Sequence, residues 1–144
     1  MTHQSPRLLL VDDDDNDLTL FKAAVTKAGL PMLLDGVTNG QQAIEYLERV
    51  QSAELGPDVI ILDLHMPLKS GLDFLAWRKS SPFACVPVVV LTGLEDLGER
   101  KKALASGANL VLDKPLRFRE LVDLVRSIGS IVSDTEKPCA ELQP

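Results

Sequence analysis

The chain has 144 residues, enough for one ordinary domain without comfortable room for a second. Hydrophobic residues make up 45% and charged residues 25%, the balance of a soluble globular protein that needs no staples to fold. The 21 Asp and Glu against 15 Lys and Arg leave a net charge of −6, which argues against a general nucleic-acid binder, whose affinity comes mostly from phosphate neutralisation.

Short apolar runs recur about every 22 to 29 residues, with helical patterns between them. After a polar leader (residues 1–5), Leu8–Val11 predicts a first strand that stops at Asp12-Asp13. Five of the six residues from Asp12 to Asp17 are aspartates, and Asp14 or Asp15 suits the cap of the helix that follows. Leu18, Phe21, Val25 and Ala28 form that helix's apolar stripe, and Gly29 and Pro31 stop it. Met32–Val37, interrupted by Asp35 and Gly36, suits an edge strand. Ala43, Ile44, Leu47 and Val50 mark a second helix, opened by Thr38-x-x-Gln41 as a capping box.

Val59–Leu62 is a third strand ending at Asp63. Leu72, Leu75 and Ala76 follow Ser70-x-x-Asp73, a cap with an acidic first turn. Val88–Leu91 is a fourth strand ending at Thr92, and the helix from Glu95 to Ser106 closes at Gly107. Leu110–Leu112 is a fifth strand, ended by Asp113-Lys114-Pro115, and Leu121, Leu124, Val125 and Ile128 lead to a stop at Gly129. Residues 130–144 lose this periodicity and are expected to form a flexible tail or a short helical extension. Cys85 and Cys139 fit no CxxC or zinc spacing, so free thiols are expected. No apolar run is long enough for a signal-peptide core or a membrane span, so the expected location is cytoplasmic.

Strict strand–helix alternation predicts an α/β fold: an open parallel sheet of five strands with helices on both faces. Such sheets bind ligands at the carboxyl ends of their strands, where the strand order reverses. There the sequence places Asp12-Asp13, Asp63, Thr92 and Lys114, while the second strand contributes nothing ionic. Carboxylates gathered in one crevice repel one another, and burial raises their pKa values. A bound divalent cation removes that conflict, and oxygen-only ligands suit Mg²⁺ or Mn²⁺. A lysine and a hydroxyl facing the same point can hold phosphoryl oxygens, so the inferred chemistry is metal-assisted phosphoryl transfer to a carboxylate.

Taken in order, Leu8-Leu-Leu-Val-Asp12-Asp13, Asp63-Leu-His-Met66-Pro67-Leu-Lys-Ser-Gly71, Val88-Val-Val-Leu-Thr92-Gly93, Gly107-Ala108 and Lys114-Pro115 resemble the receiver domain of two-component response regulators. The resemblance covers residues 6 to 129 and implies a flavodoxin-like sheet in the order 2-1-3-4-5. It implies that Asp63 accepts a phosphoryl group from a sensor histidine kinase or a phosphotransfer protein. Mg²⁺ would be bound directly by Asp13 and Asp63, through water by Asp12, and by the backbone carbonyl of His65. Thr92 and Lys114 would bond phosphoryl oxygens, and the Lys114–Pro115 peptide would be cis.

One position departs from the family. An aromatic residue usually stands three before the strand-five lysine and follows the Thr or Ser toward the phosphoryl group; here it is Val111. The usual readout on the face made by helix four, strand five and helix five is thereby in question. His65 and Leu94 flank the path of an attacking water in this family, and Leu94 cannot orient one, so slow self-dephosphorylation is expected. The short leader, the polar residues after the acid pair and the Pro-Leu-Lys-Ser-Gly loop resemble regulators paired with phytochrome-type kinases.

The expectation is a stand-alone receiver, not an enzyme, whose output is binding to a downstream protein. It would involve neither nucleic acid nor membrane, and the chain would be a monomer or a weak homodimer. Two other readings compete. A haloacid-dehalogenase-like phosphatase would use Asp12-x-Asp14 with Asp12 as nucleophile, but Asn16 stands where that family has Thr or Val, and no second acidic pair fits. A degenerate receiver would serve only as a binding platform, against which the intact Asp63, Thr92 and Lys114 argue. A calcium loop starting at Asp13 fails at Leu18 and Ala24, where Gly and Glu are needed.

Overall fold

The structure is a computed structural model, and it describes residues 5–52, 55–64, 68–93 and 97–133. Parallel strands β1 (Arg7–Val11), β2 (Leu33–Val37), β3 (Val59–Asp63), β4 (Val88–Thr92) and β5 (Leu110–Asp113) form one sheet in the order β2-β1-β3-β4-β5. They alternate with α1 (Asp15–Ala28), α2 (Gly40–Val50), α3 (Leu68–Lys79), α4 (Leu97–Ala105) and α5 (Phe118–Ser133). The chain steps from β1 outward to β2 and then crosses back to β3. The strand order therefore reverses between β1 and β3, which opens a crevice at their carboxyl ends.

The three unbroken apolar runs are the three central strands: β3 and β4 are buried along their whole length, and β1 everywhere except Arg7. Side chains alternate across the sheet and feed two cores. Leu9, Val11, Ile60, Leu62, Val88 and Val90 meet Leu47 of α2, Phe74 and Leu75 of α3 and Ala103 of α4. Leu8, Leu10, Val59, Ile61, Val89 and Leu91 meet Phe21 and Val25 of α1 and Leu121, Val125 and Ile128 of α5. Each fully buried side chain of this kind contributes about 1.5–3 kcal/mol, so the central strands fix the sheet. β2 and β5 lie at the edges, with half-buried or exposed side chains.

Local signals set most of the helix ends. Asp14 caps α1 by accepting a hydrogen bond from the Asn16 N–H, and Gly29 closes the helix in the left-handed region at φ 69°. The second capping signal is displaced by one residue. Asn39 is the N-cap of α2, and Gln42 rather than Gln41 reaches back to the Thr38 N–H and hydroxyl.

Four expectations are corrected. Ser70 lies inside α3 rather than capping it; its hydroxyl accepts the Gly40 N–H at 2.7 Å and ties α3 to the start of α2. α5 runs through Gly129 to Ser133, and a Cβ on Gly129 would meet Leu30 Cδ1 at 2.8 Å, so this glycine serves close packing. Cys85 is disulfide-bonded rather than free, because bridging depends on proximity in the fold and not on spacing along the chain. Cys139 lies outside the described residues. The Lys114–Pro115 peptide is trans, the isomer that X–Pro bonds favour by about 0.5–1 kcal/mol, where the resemblance implies cis.

Arg78 is a buried cation with neutral oxygen partners. Its guanidinium donates to the Val86 carbonyl at 2.6 and 3.0 Å, to the Gly107 carbonyl at 3.1 Å and to Asn109 Oδ1 at 3.0 Å. It thereby clamps the segments leading into β4 and β5, at the amino ends of the strands, opposite the crevice. Burial lowers its pKa.

Candidate functional site

Register places the strand ends side by side. Val11 pairs with Leu62, Asp63 with Leu91, and Thr92 with Asp113. Asp12, Asp63, Thr92 and Lys114 thus converge at the crevice. The two-residue alternation then sorts them by face. Asp12 follows Leu8 and Leu10, Asp63 follows Val59 and Ile61, and Lys114 follows Leu112; all of these belong to the core beneath α1 and α5. Thr92 follows Val88 and Val90, which belong to the core beneath α2, α3 and α4.

The geometry follows that sorting. The Lys114 ammonium donates to Asp63 Oδ2 at 2.6 Å and to Asp17 Oδ2 at 2.5 Å, and Asp12 Oδ2 lies 3.9 Å away. Carboxylate oxygens of Asp12, Asp17 and Asp63 all fall within 4.8 Å of one another. Asp63 is fully buried and Asp12 nearly so, while Asp17 is half-buried.

Burial first, then crowding by the Asp17 and Asp63 carboxylates, pushes Asp12 up to about 8, although the Asp14 N–H on its Oδ1 favours the ionised form. Burial alone would lower the Lys114 pKa, but its hydrogen bonds to Asp17 and Asp63 and their field outweigh burial and keep the ammonium charged. Asp12 Oδ2 is buried and has no hydrogen-bond donor among the described residues. A buried carboxylate oxygen without a hydrogen-bond donor, beside the carboxylates of Asp17 and Asp63, is what a hard divalent cation would satisfy.

Thr92, 1% exposed, points the other way: its hydroxyl donates to Glu99 Oε2 of α4 at 3.3 Å. Beside Glu99, Arg100 pairs with Asp113, the β5 partner of Thr92. Val111 is half-buried against the core on the α4 side.

Asp12, Asp63 and Lys114 therefore meet as the sequence implies. Asp13 does not join them: it is exposed and absent from the carboxylate cluster, because one step along the chain turns its side chain away from the α1–α5 face. His65 and Leu94 lie outside the described residues. Two residues of the site were missed in the sequence. Asp17 sits three positions beyond the cap Asp14, so the first turn of α1 carries it back over the strand ends; that helical offset was the available signal. Glu99 had no local signal, since only the packing of α4 on β4 brings it to Thr92.

A cavity of about 480 Å³ lies between the ends of α2 and α3, lined by residues including Leu47, Trp77 and Phe83. Trp77 stacks between Phe74 and Phe83, at ring separations of 6.2 and 6.4 Å. α3 runs antiparallel to the strands, so its last turns, and this cavity, lie away from the carboxylates.

A doubly wound sheet with an acidic crevice and a strand-five lysine defines the receiver class, and comparison with known proteins agrees. The response regulator receiver domain family matches residues 8–126, and the chain belongs to that family, the receiver domain of two-component systems. Among curated relatives, the transcriptional regulatory protein TrcR of Mycobacterium tuberculosis is 33% identical over 135 residues, covering 94% of this chain and 49% of that protein. CpxR of Escherichia coli is 33% identical over 123 residues, covering 85% and 48%. The chain thus spans about half the length of these relatives. Among solved structures, the phosphorylated cyanobacterial phytochrome response regulator RcpA has a TM-score of 0.78 at 28% identity, covering 93% of this chain and 99% of that one. The Mn²⁺-bound response regulator Rcp1 has a TM-score of 0.74 at 27% identity, covering 92% and 99%.

Proposed function

We propose that the chain is a phospho-accepting switch in which Asp63 takes a phosphoryl group from a phosphohistidine of a sensor histidine kinase or phosphotransfer protein. The observation that carries the proposal is the pairing of buried Asp63 with Lys114 at 2.6 Å at the topological switch point. An Asp63 oxygen attacks phosphorus; the new P–O bond forms as the P–N bond breaks, and the donor imidazole takes the electron pair. Lys114, held charged, offers its ammonium to the phosphoryl oxygens, and Thr92 supplies a hydroxyl donor once it turns toward Asp63.

Asp12, Asp17 and Asp63 would hold a divalent cation, Mg²⁺ or Mn²⁺, whose charge offsets that of the carboxylates and of the incoming phosphoryl group. The direct ligation by Asp13 that the resemblance implies would require its side chain to turn inward from the rim. The likeness to a Mn²⁺-bound regulator supports a metal at this place.

Output by protein–protein contact fits the exposed apolar side chains Leu97, Leu104, Leu110, Leu116 and Phe118 on α4, β5 and the approach to α5. The likeness to RcpA supports a phytochrome-type kinase as donor. A cytoplasmic location belongs to the same reading. No helix among the described residues is long and apolar enough to cross a membrane.

Incubation with acetyl phosphate and Mg²⁺, followed by intact mass and mapping of the labelled residue, tests the proposal. The label is expected on Asp63, abolished by Asp63→Asn and only weakened by Asp12→Asn. Label on Asp12 would establish the phosphatase reading instead, and no uptake from any donor would leave a binding platform.

A further inference from the structure

We propose that Glu99 is a positioning residue that holds the Thr92 hydroxyl away from Asp63 in the resting chain, so that phosphoryl acceptance is read by the first turn of α4. The inference rests on Asp63 being the phosphoryl acceptor.

Three observations carry it. Thr92 lies on the α4 side of the sheet, while Asp12, Asp17, Asp63 and Lys114 gather on the α1–α5 side. Its hydroxyl is engaged by Glu99 at 3.3 Å. The next residue, Arg100, is ion-paired to Asp113, which stands opposite Thr92 in the ladder. Two consecutive residues in one turn of α4 therefore grip the ends of β4 and β5. Val111 has no ring to carry a movement of Thr92 outward, and the polar route through Glu99 needs none.

The distance decides how such a contact behaves. An O–H···O bond usually spans about 2.5–3.0 Å, so the Thr92–Glu99 contact is long and readily exchanged. A phosphoryl group on Asp63 offers several charged oxygens on the other side of Thr92. Rotation about the Thr92 Cα–Cβ bond would trade one acceptor for a stronger one and leave Glu99 without this donor. The first turn of α4 would then keep its Arg100 grip on β5 and lose its grip on β4. Only this difference between the two states shifts the equilibrium.

The test has two arms on the full chain. In the resting protein, three-bond couplings of methyl-labelled Thr92 report its χ1 populations. Glu99→Ala is expected to redistribute them and Glu99→Gln, whose amide oxygen still accepts, to preserve them. In the second arm, uptake from acetyl phosphate is expected to be about two- to tenfold faster in Glu99→Ala and near the parent rate in Glu99→Gln. In a Thr92→Val background, Glu99→Ala should add nothing. Unchanged Thr92 rotamers in Glu99→Ala, or a rate effect that persists in Thr92→Val, would overturn the proposal. Failure of the parent chain to label Asp63 counts against the phospho-acceptor reading, and the rotamer arm still decides whether Glu99 holds Thr92.

Discussion

The Lys114 ammonium at the end of β5 lies 2.5 Å from the Asp17 carboxylate in the first turn of α1, a contact between residues 97 apart in the chain. One cation thus serves two carboxylates at bonding distance, Asp17 and Asp63, with Asp12 slightly farther off. The pocket carries more negative than positive charge, and its behaviour follows from how that excess is relieved: by a proton, by the lysine or by a metal ion.

Removing the lysine leaves buried carboxylates uncompensated. Lys114→Met is expected to cost about 2–4 kcal/mol in the presence of a chelator, since breaking one partner of a buried pair strands the other charge. Mg²⁺ should restore part of that loss by replacing the missing positive charge. Urea unfolding with and without Mg²⁺ measures both quantities. A variant as stable as the parent in chelator would show that the lysine does not compensate the pocket.

The raised pKa of Asp12 predicts how metal-free stability changes with pH. Folded Asp12 keeps its proton up to about 8, whereas the unfolded chain releases it near 3.8, the ordinary value of an aspartate. Between those values the folded state binds more protons, so stability falls as pH rises from about 4 to about 8. The slope from this group is at most about 1.4 kcal/mol per pH unit. Lys114, raised above its ordinary value, stays charged throughout that window, and its contribution is lost only at higher, strongly alkaline pH. A divalent cation competes with the Asp12 proton. Its binding should therefore tighten up to about pH 8 and release protons, which calorimetry in buffers of different ionisation enthalpy detects. Metal affinity that is flat across pH 5 to 8 would contradict a protonated Asp12.

Arg78 gives a prediction that separates folding from chemistry. Arg78→Met leaves the Val86 and Gly107 carbonyls and the Asn109 side chain short of donors, at an expected cost of about 2–4 kcal/mol. Arg78→Lys keeps the charge but cannot span three acceptors, so it should recover only part of the stability. Phosphoryl uptake per folded molecule should be unchanged in both variants, because Arg78 acts where the chain enters β4 and β5. Reduced uptake by fully folded protein would indicate that the clamp reaches the site.

Hydrophobic pattern and strand-end residues are local properties, and they determined the strand–helix alternation, the buried central strands and the meeting of Asp12, Asp63 and Lys114, with Thr92 at the neighbouring strand end but turned toward α4. The three central runs could be read because a strand buried on both faces must be continuously apolar. The Asp14 cap and Gly29 stop could be read because they act within one turn of their own helix. Ser70 and Gly129 were misread because each has a local pattern but a distant partner, the Gly40 N–H and Leu30 respectively. The aspartate run shows the same division within six residues. Its sequence announces an acidic site, but only the pleat of β1 and the pitch of α1 select Asp12 and Asp17 for the pocket and leave Asp13 at the surface. The position of Glu99 against Thr92 was decided by tertiary structure alone, since it depends on how α4 packs across the end of β4.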